Sequence, residues 1–207
     1  MRVLDGPTHG LVRAAASIPV LPLEPLTAVL REARAEGTST AWLDELVLAA
    51  VLFAGFPRGL VAAGALRTVE PLAGEVGDAA DYSAWREWER RGVELCRRIY
   101  GPNYEKLREN VRGLHPALDA WIIMDGYGRT LSRPALDPVR REFCSIALLI
   151  PQDTPHQLHS HLRGALNVGA TPEQVDDVLS VAAECSEVPR ARLAAARSLW
   201  DGVRGVH

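Results

Sequence analysis

The 207-residue sequence is poor in cysteine, and the three it has follow no pattern. Cys96, Cys144 and Cys185 are odd in number, far apart and form no Cys-x-x-Cys pair. That excludes a disulfide framework and fits a reducing, cytoplasmic setting. Aromatic residues make up only 6% of the chain, while 47% is hydrophobic and dominated by Ala, Leu and Val. Such a balance favours helices over β-rich architectures. No Lys/Arg run is long enough for a nucleic-acid stripe, and the formal net charge of -3 is small. No glycine-rich phosphate loop or nucleotide fingerprint is present. The N-terminus lacks the basic-then-apolar pattern of a signal peptide. The longest apolar run, Leu46 to Phe56, is too short to cross a bilayer, so it reads as the middle of a buried helix or a subunit contact. Neither nucleic acid nor a membrane is an expected partner.

What the sequence does contain is an internal repeat. At a constant offset of 132 residues, Ala15, Ile18, Pro19, Leu26, Leu30, Arg31, Ala33 and Gly37 recur as Ala147, Ile150, Pro151, Leu158, Leu162, Arg163, Ala165 and Gly169. Asp44, Ala50, Pro57, Arg58, Ala62 and Ala63 recur as Asp176, Ala182, Pro189, Arg190, Ala194 and Ala195. Chance similarity between Ala-rich helices would not keep the breakers Gly37/Gly169 and Pro57/Pro189 in register. The pattern predicts a duplicated helical unit over about 9–69 and 141–201. In the second copy it predicts helices over 141–150 and 155–168, then one opening on the capping box Thr171-Pro-Glu-Gln174, then one from Pro189 to about Asp201. Between the copies, 82–99, 102–112 and 115–125 have helical spacing, and Gly126-Tyr127-Gly128 reads as the loop that ends them. The expected fold is all-α, with a site-less N-terminal half-repeat over 1–70 and a site-bearing domain over 80–207.

The residues that could carry chemistry lie in Thr154-Pro-His156-Gln157-Leu-His159-Ser-His161, with Glu142 one helix earlier. At about 100° per residue, Gln157 and His161 share a helical face, His156 flanks it and His159 points nearly opposite. Glu142 lies about 12 Å back from the turn and His161 about 9 Å forward, so antiparallel packing would bring them to similar depth. They form a candidate proton-handling pair. The repeat supplies a control, because Glu142, His156, Gln157 and His161 fall on Gly10, Glu24, Pro25 and Val29. The polar set is confined to the second copy, whereas a purely structural role would more naturally appear in both. A satisfied core histidine is the competing reading. A metal site is disfavoured, since His161 cannot join His156 and His159 from one face and no Cys or paired carboxylate completes a set. No cysteine has a partner at short spacing, so thiol catalysis is also disfavoured.

These residues resemble the carboxymuconolactone decarboxylase family. The resemblance runs from about Trp88 to the C-terminus and is densest from Gly126-Tyr-Gly-Arg-Thr-Leu through Arg141-Glu142-Phe to His156-Gln-Leu-His-Ser-His161-Leu-Arg163-Gly-Ala-Leu-Asn-Val-Gly169-Ala-Thr-Pro-Glu173. The N-terminal half resembles the site-less half of duplicated alkyl hydroperoxidase D-like members. The peroxidase branch carries a Glu and then Cys-x-His-Cys-x-x-x-His. Its histidines match His156 and His161, while Thr154 and Gln157 stand where its cysteines would be, so no thiol peroxidase is implied. The decarboxylase branch is more similar, with Gln157 in place of its Glu and Leu131 in place of a usual Trp.

The resemblance implies a lyase or isomerase that needs no cofactor and acts on a small carboxylated lactone or enolisable acid. His161 would be the proton donor and Glu142 would set its tautomer. His156 and Gln157 would orient the substrate, and Arg133 and Arg163 would anchor its carboxylate. It also implies a homo-oligomer, a trimer or hexamer. The alternative is a non-catalytic oligomer that binds a small ligand.

Overall fold

The computed structural model describes residues 3–72 and 77–205, and every regular element among them is a helix. Residues 1–2 and 206–207, the outer ends of the two expected domains, lie outside the described residues. In chain order the helices are α1 (Gly6–Ser17), α2 (Leu23–Ala35), α3 (Thr40–Val69), α4 (Trp85–Tyr100), α5 (Tyr104–Leu114), α6 (Pro116–Trp121), a π-helical segment (Ile122–Leu131), α7 (Pro138–Leu149), α8 (Pro155–Asn167), α9 (Pro172–Ala182) and α10 (Arg190–Arg204). The chain forms two compact units. Residues before about 75 join those from 135 onward in the first unit, and the segment between them forms the second.

In the first unit the helix bounds recur with the sequence repeat. Both bounds of α1 reappear at α7, and both bounds of α2 at α8, each 132 residues further on. Local chemistry explains the starts. Asp5 accepts from the Thr8 amide and Asp137 from the Arg140 amide, each as an N-cap followed by a proline in the first turn. The Asp137 cap starts α7 three residues before the sequence expectation. Thr171 and Gln174 close the expected capping box on α9. Gly37 and Gly169, with φ of 94° and 109°, take the left-handed turn that stops α2 and α8.

The two copies are interleaved. Helices α1 and α7 pack together at the centre and bury nearly their whole circumference. Beyond that pair, α3 of the first copy packs on α7, and α9 of the second copy packs on α1. Each copy therefore covers the other's central helix.

Helix α3 departs from the sequence expectation. It runs for 30 residues, and an 18-residue stretch of it has a mean hydropathy of 2.0, the length and composition of a membrane-crossing helix, well beyond the Leu46–Phe56 run. Gly55, at φ 79° and ψ 164°, breaks it into two limbs in a region only glycine readily occupies, just before Pro57. Only one face of the first limb is buried, through Leu43, Leu46 and Ala50, while Leu48, Leu52, Phe56 and Leu60 face outward.

The second unit corrects another expectation. Gly126-Tyr127-Gly128 is not a loop but lies inside the Ile122–Leu131 helical segment, which packs along α4. Gly128 and Gly92 permit it. A Cβ on Gly128 would sit 2.0 Å from the Trp88 carbonyl oxygen, and one on Gly92 would sit 2.1 Å from that of Ile123. Glycine here allows close backbone approach rather than a turn.

The unit's ionic centre is Asp119, which accepts from Arg108 Nη2 at 3.0 Å and Arg112 Nη2 at 2.7 Å. The hydrogen bonds from Arg108, against an opposing push from burial and helped by Arg112, hold this carboxyl below its ordinary range. Asp119→Asn should therefore cost about 2 kcal/mol at neutral pH. Denaturant unfolding followed by tryptophan fluorescence measures it, since Trp85, Trp88 and Trp121 lie in this unit. Because the folded carboxyl titrates lower than the unfolded one, its contribution is complete above about pH 4 and is lost as pH falls through the folded value. Wild type and variant should thus converge in acid, and equal stability at pH 7 would refute the role.

Candidate functional site

Glu142 and His161 meet inside the first unit. Helices α7 and α8 pack against each other across the short Ile150–Gln152 turn. One turn into α7 stands Glu142, 1% exposed; on the inward face of α8 stands His161, 5% exposed. His161 Nδ1 lies 2.9 Å from Glu142 Oε2. A buried carboxylate accepts only, so the ring presents Nδ1–H to Glu142 and its exchangeable lone pair or proton resides on Nε2. This is the geometry of an oriented acid–base histidine.

The first copy has no such pair at the equivalent positions. Gly10 stands at the position of Glu142, and a Cβ there would come within 2.9 Å of the Ala33 Cα. Glycine lets α1 and α2 approach closely, whereas α7 and α8 hold a carboxylate and an imidazole between them.

Further contributors come from elements that give no sequence signal. Glu45, on α3, is 1% exposed and accepts from Arg141 Nη2 at 2.8 Å. Arg141 Nε also donates to the Leu136 carbonyl at 3.0 Å, and Ser145 Oγ donates to the Arg141 carbonyl at 2.9 Å. A buried ion pair, Glu45–Arg141, thus involves the residue immediately before Glu142 in α7. Phe53, also on α3, lies edge-to-face with His161, with ring centroids 5.2 Å apart and planes at 80°.

The remaining candidate residues are distributed differently. His156 and Gln157 are exposed on the first turn of α8. Thr154 stands on the His161 face about 10 Å back along the axis. Its Oγ1 is buried and makes no hydrogen bond among the described residues. Arg163 is half-buried, and its place two residues beyond His161 puts it about 160° round the helix. One molecule of α8 therefore turns Arg163 and His161 to nearly opposite sides. Arg133 is half-buried in the second unit, as is the buried Leu131. Among the described residues, no group of three or more His, Cys, Asp or Glu is placed to hold a metal ion.

All three cysteines are buried and lie outside any disulfide. Burial pushes the Cys144 thiol up to about 12, with Arg141 opposing, so almost no thiolate exists at neutral pH.

The model of the carboxymuconolactone decarboxylase family matches residues 116–199, a stretch that includes both Glu142 and His161. A Schizosaccharomyces pombe protein named Peroxisomal protein 2 is 33% identical over 150 residues, covering 70% of this chain and 68% of that protein. A Saccharomyces cerevisiae protein of the same name is 30% identical over 94 residues, covering 45% of this chain and 33% of that protein.

The state of the cysteines gives a direct prediction. A thiol reagent such as Ellman's should react slowly with the native protein and should release three equivalents only after denaturation. Rapid reaction of Cys144 in the native state would contradict its burial.

Proposed function

The chain belongs to the carboxymuconolactone decarboxylase family, and from that premise we propose that it is a lyase or isomerase acting on a small carboxylated lactone or enolisable acid. The observation that carries this reading is the buried Glu142–His161 hydrogen bond of 2.9 Å, which leaves Nε2 as the working nitrogen. In the reaction proposed, the bond to the carboxylate carbon breaks and CO₂ leaves. The electron pair stays on the substrate carbon, delocalised through the unsaturated lactone, so the substrate supplies its own electron sink without a cofactor. Protonated His161 then delivers the Nε2 proton to that carbon and is left neutral, its Nδ1–H still held by Glu142. Solvent restores the proton. The partnerless Thr154 hydroxyl is a polar group that a bound substrate would satisfy. Gln157 and His156, at the exposed end of the same turn, are proposed to orient the substrate at the entrance. Arg163, turned away from His161, could serve only a site on another face or in a neighbouring subunit. Thiol peroxidase chemistry is not proposed, because Thr154 and Gln157 stand where the peroxidase branch has its cysteines and the Cys144 thiol stays protonated.

A second reading is a non-catalytic, ligand-binding oligomer, favoured by the closed setting of His161 between Glu142 and Phe53. For location, both relatives carry the name of a peroxisomal protein, and buried free thiols fit any compartment that does not drive disulfide formation. We accordingly place the peroxisome ahead of the cytoplasm as the compartment to test.

The expected assembly is a homo-oligomer, a trimer or hexamer, that contains neither nucleic acid nor membrane. Its supporting observation is the outward strip of Leu48, Leu52, Phe56 and Leu60 on α3, exposed by 39–68%. Replacing Leu52 and Phe56 by Glu should yield a smaller species in size-exclusion chromatography with light scattering. A wild type that is already monomeric at micromolar concentration would remove the assignment.

The decisive measurement is CO₂ release or ultraviolet absorbance change with γ-carboxymuconolactone and a panel of related lactones and β-keto acids. His161→Ala should lower turnover by about 10²- to 10⁴-fold. An undiminished rate in that variant would sink the lyase reading. Carboxylate-dependent thermal stabilisation without turnover would transfer support to the ligand-binding one.

A further inference from the structure

The hydrogen bond to Glu142 restrains one atom of the His161 ring and leaves the plane of the imidazole free to hinge about it. A half-turn about Cβ–Cγ would exchange Nδ1 for a carbon and break the pair. Something must hold the plane, and the nearest ring is Phe53, at 5.2 Å and 80°. That separation and angle are the favourable edge-to-face arrangement of two aromatic rings. Phenylalanine has no strong donor or acceptor, so it competes for neither ring nitrogen and leaves Nδ1–H to Glu142.

The repeat sharpens the point. Just as Glu142 and His161 fall on Gly10 and Val29, Phe53 falls on Cys185. The aromatic ring is thus present only on the side where the His161 imidazole is present, although it belongs to the copy that lacks the counterparts of Glu142 and His161. It reaches His161 because α3 is exchanged onto the central helix of the other copy. It stands two residues before Gly55, where α3 breaks.

We propose that Phe53 is a positioning residue for His161, contributed by the otherwise site-less first copy, which locks the imidazole plane so that Nδ1–H faces Glu142 and Nε2 stays the exchangeable nitrogen. The functional meaning of that nitrogen rests on the lyase reading, but the positioning itself can be measured without turnover.

The test is long-range ¹H–¹⁵N NMR of the histidine side chains in the full chain, with His161→Gln identifying the His161 signals. Phe53→Leu keeps apolar volume, and Phe53→Tyr and Phe53→Trp keep an aromatic ring. Wild type, Phe53→Tyr and Phe53→Trp should each show one tautomer protonated at Nδ1. Phe53→Leu should shift the tautomer ratio by about fivefold toward the other form, the loss expected for one aromatic contact. Acylation of His161 by diethyl pyrocarbonate, read by peptide mass spectrometry, should accelerate in Phe53→Leu alone. A folded Phe53→Leu with an unchanged tautomer and acylation rate would overturn the proposal. If Phe53→Leu does not fold, a loss of the Nδ1–H tautomer in folded Phe53→Tyr or Phe53→Trp would overturn it equally. A locked tautomer in a protein that turns over none of the tested acids would leave the positioning role standing and remove only the lyase reading.

Discussion

Everything in the first unit depends on the near-complete burial of α7. From Arg141 to Leu149 every side chain is enclosed, including an arginine, a glutamate and a serine. Burying such groups is costly unless each finds a partner, so the surrounding helices are constrained to supply them. Glu45 on α3 answers Arg141, His161 on α8 answers Glu142, and Ser145 turns back on its own helix. The candidate site is the part of this satisfaction network in which one partner is an imidazole. It is rigid because it is embedded in the core rather than carried on a loop.

The interleaving of the two copies gives the duplication a physical consequence. A chain that merely repeated a helical unit would place two equivalent environments side by side. Here α3 crosses onto α7 while α9 crosses onto α1, so residues free to diverge in one copy alter the surroundings of the other. In the first copy Gly10 lets helices close up, and in the second Glu142 and His161 occupy the corresponding space. The first copy has no counterpart of Glu142 or His161, yet it contributes Glu45 and Phe53 to the enclosure around the second.

The second unit is built on a different principle. Its principal contact is the close passage of α4 along the Ile122–Leu131 segment, made possible by Gly92 and Gly128, with Asp119 shared between Arg108 and Arg112 nearby in sequence. A Gly-Tyr-Gly triplet reads locally as a break in helix, because glycine destabilises an isolated helix. Backbone-to-backbone packing reverses that preference by rewarding the absence of a side chain, a benefit visible only with the neighbouring helix in place.

Local chemistry in the sequence determined the all-α class, the positions of most helix starts and stops, and the confinement of Glu142, His156, Gln157 and His161 to the second copy. Caps, prolines and positive-φ glycines act over a few residues and need no tertiary context. The Glu142–His161 pair was also legible, because rise per residue along two helices joined by a short turn sets depth by counting. The tertiary structure alone decided the rest. It carried α3 well past the apolar run and kinked it at Gly55, and it brought Glu45 to Arg141 and Phe53 to His161 across about a hundred residues of sequence. Those contacts depend on which helix packs on which, and that choice is made by burial summed over the whole unit, which no local pattern encodes.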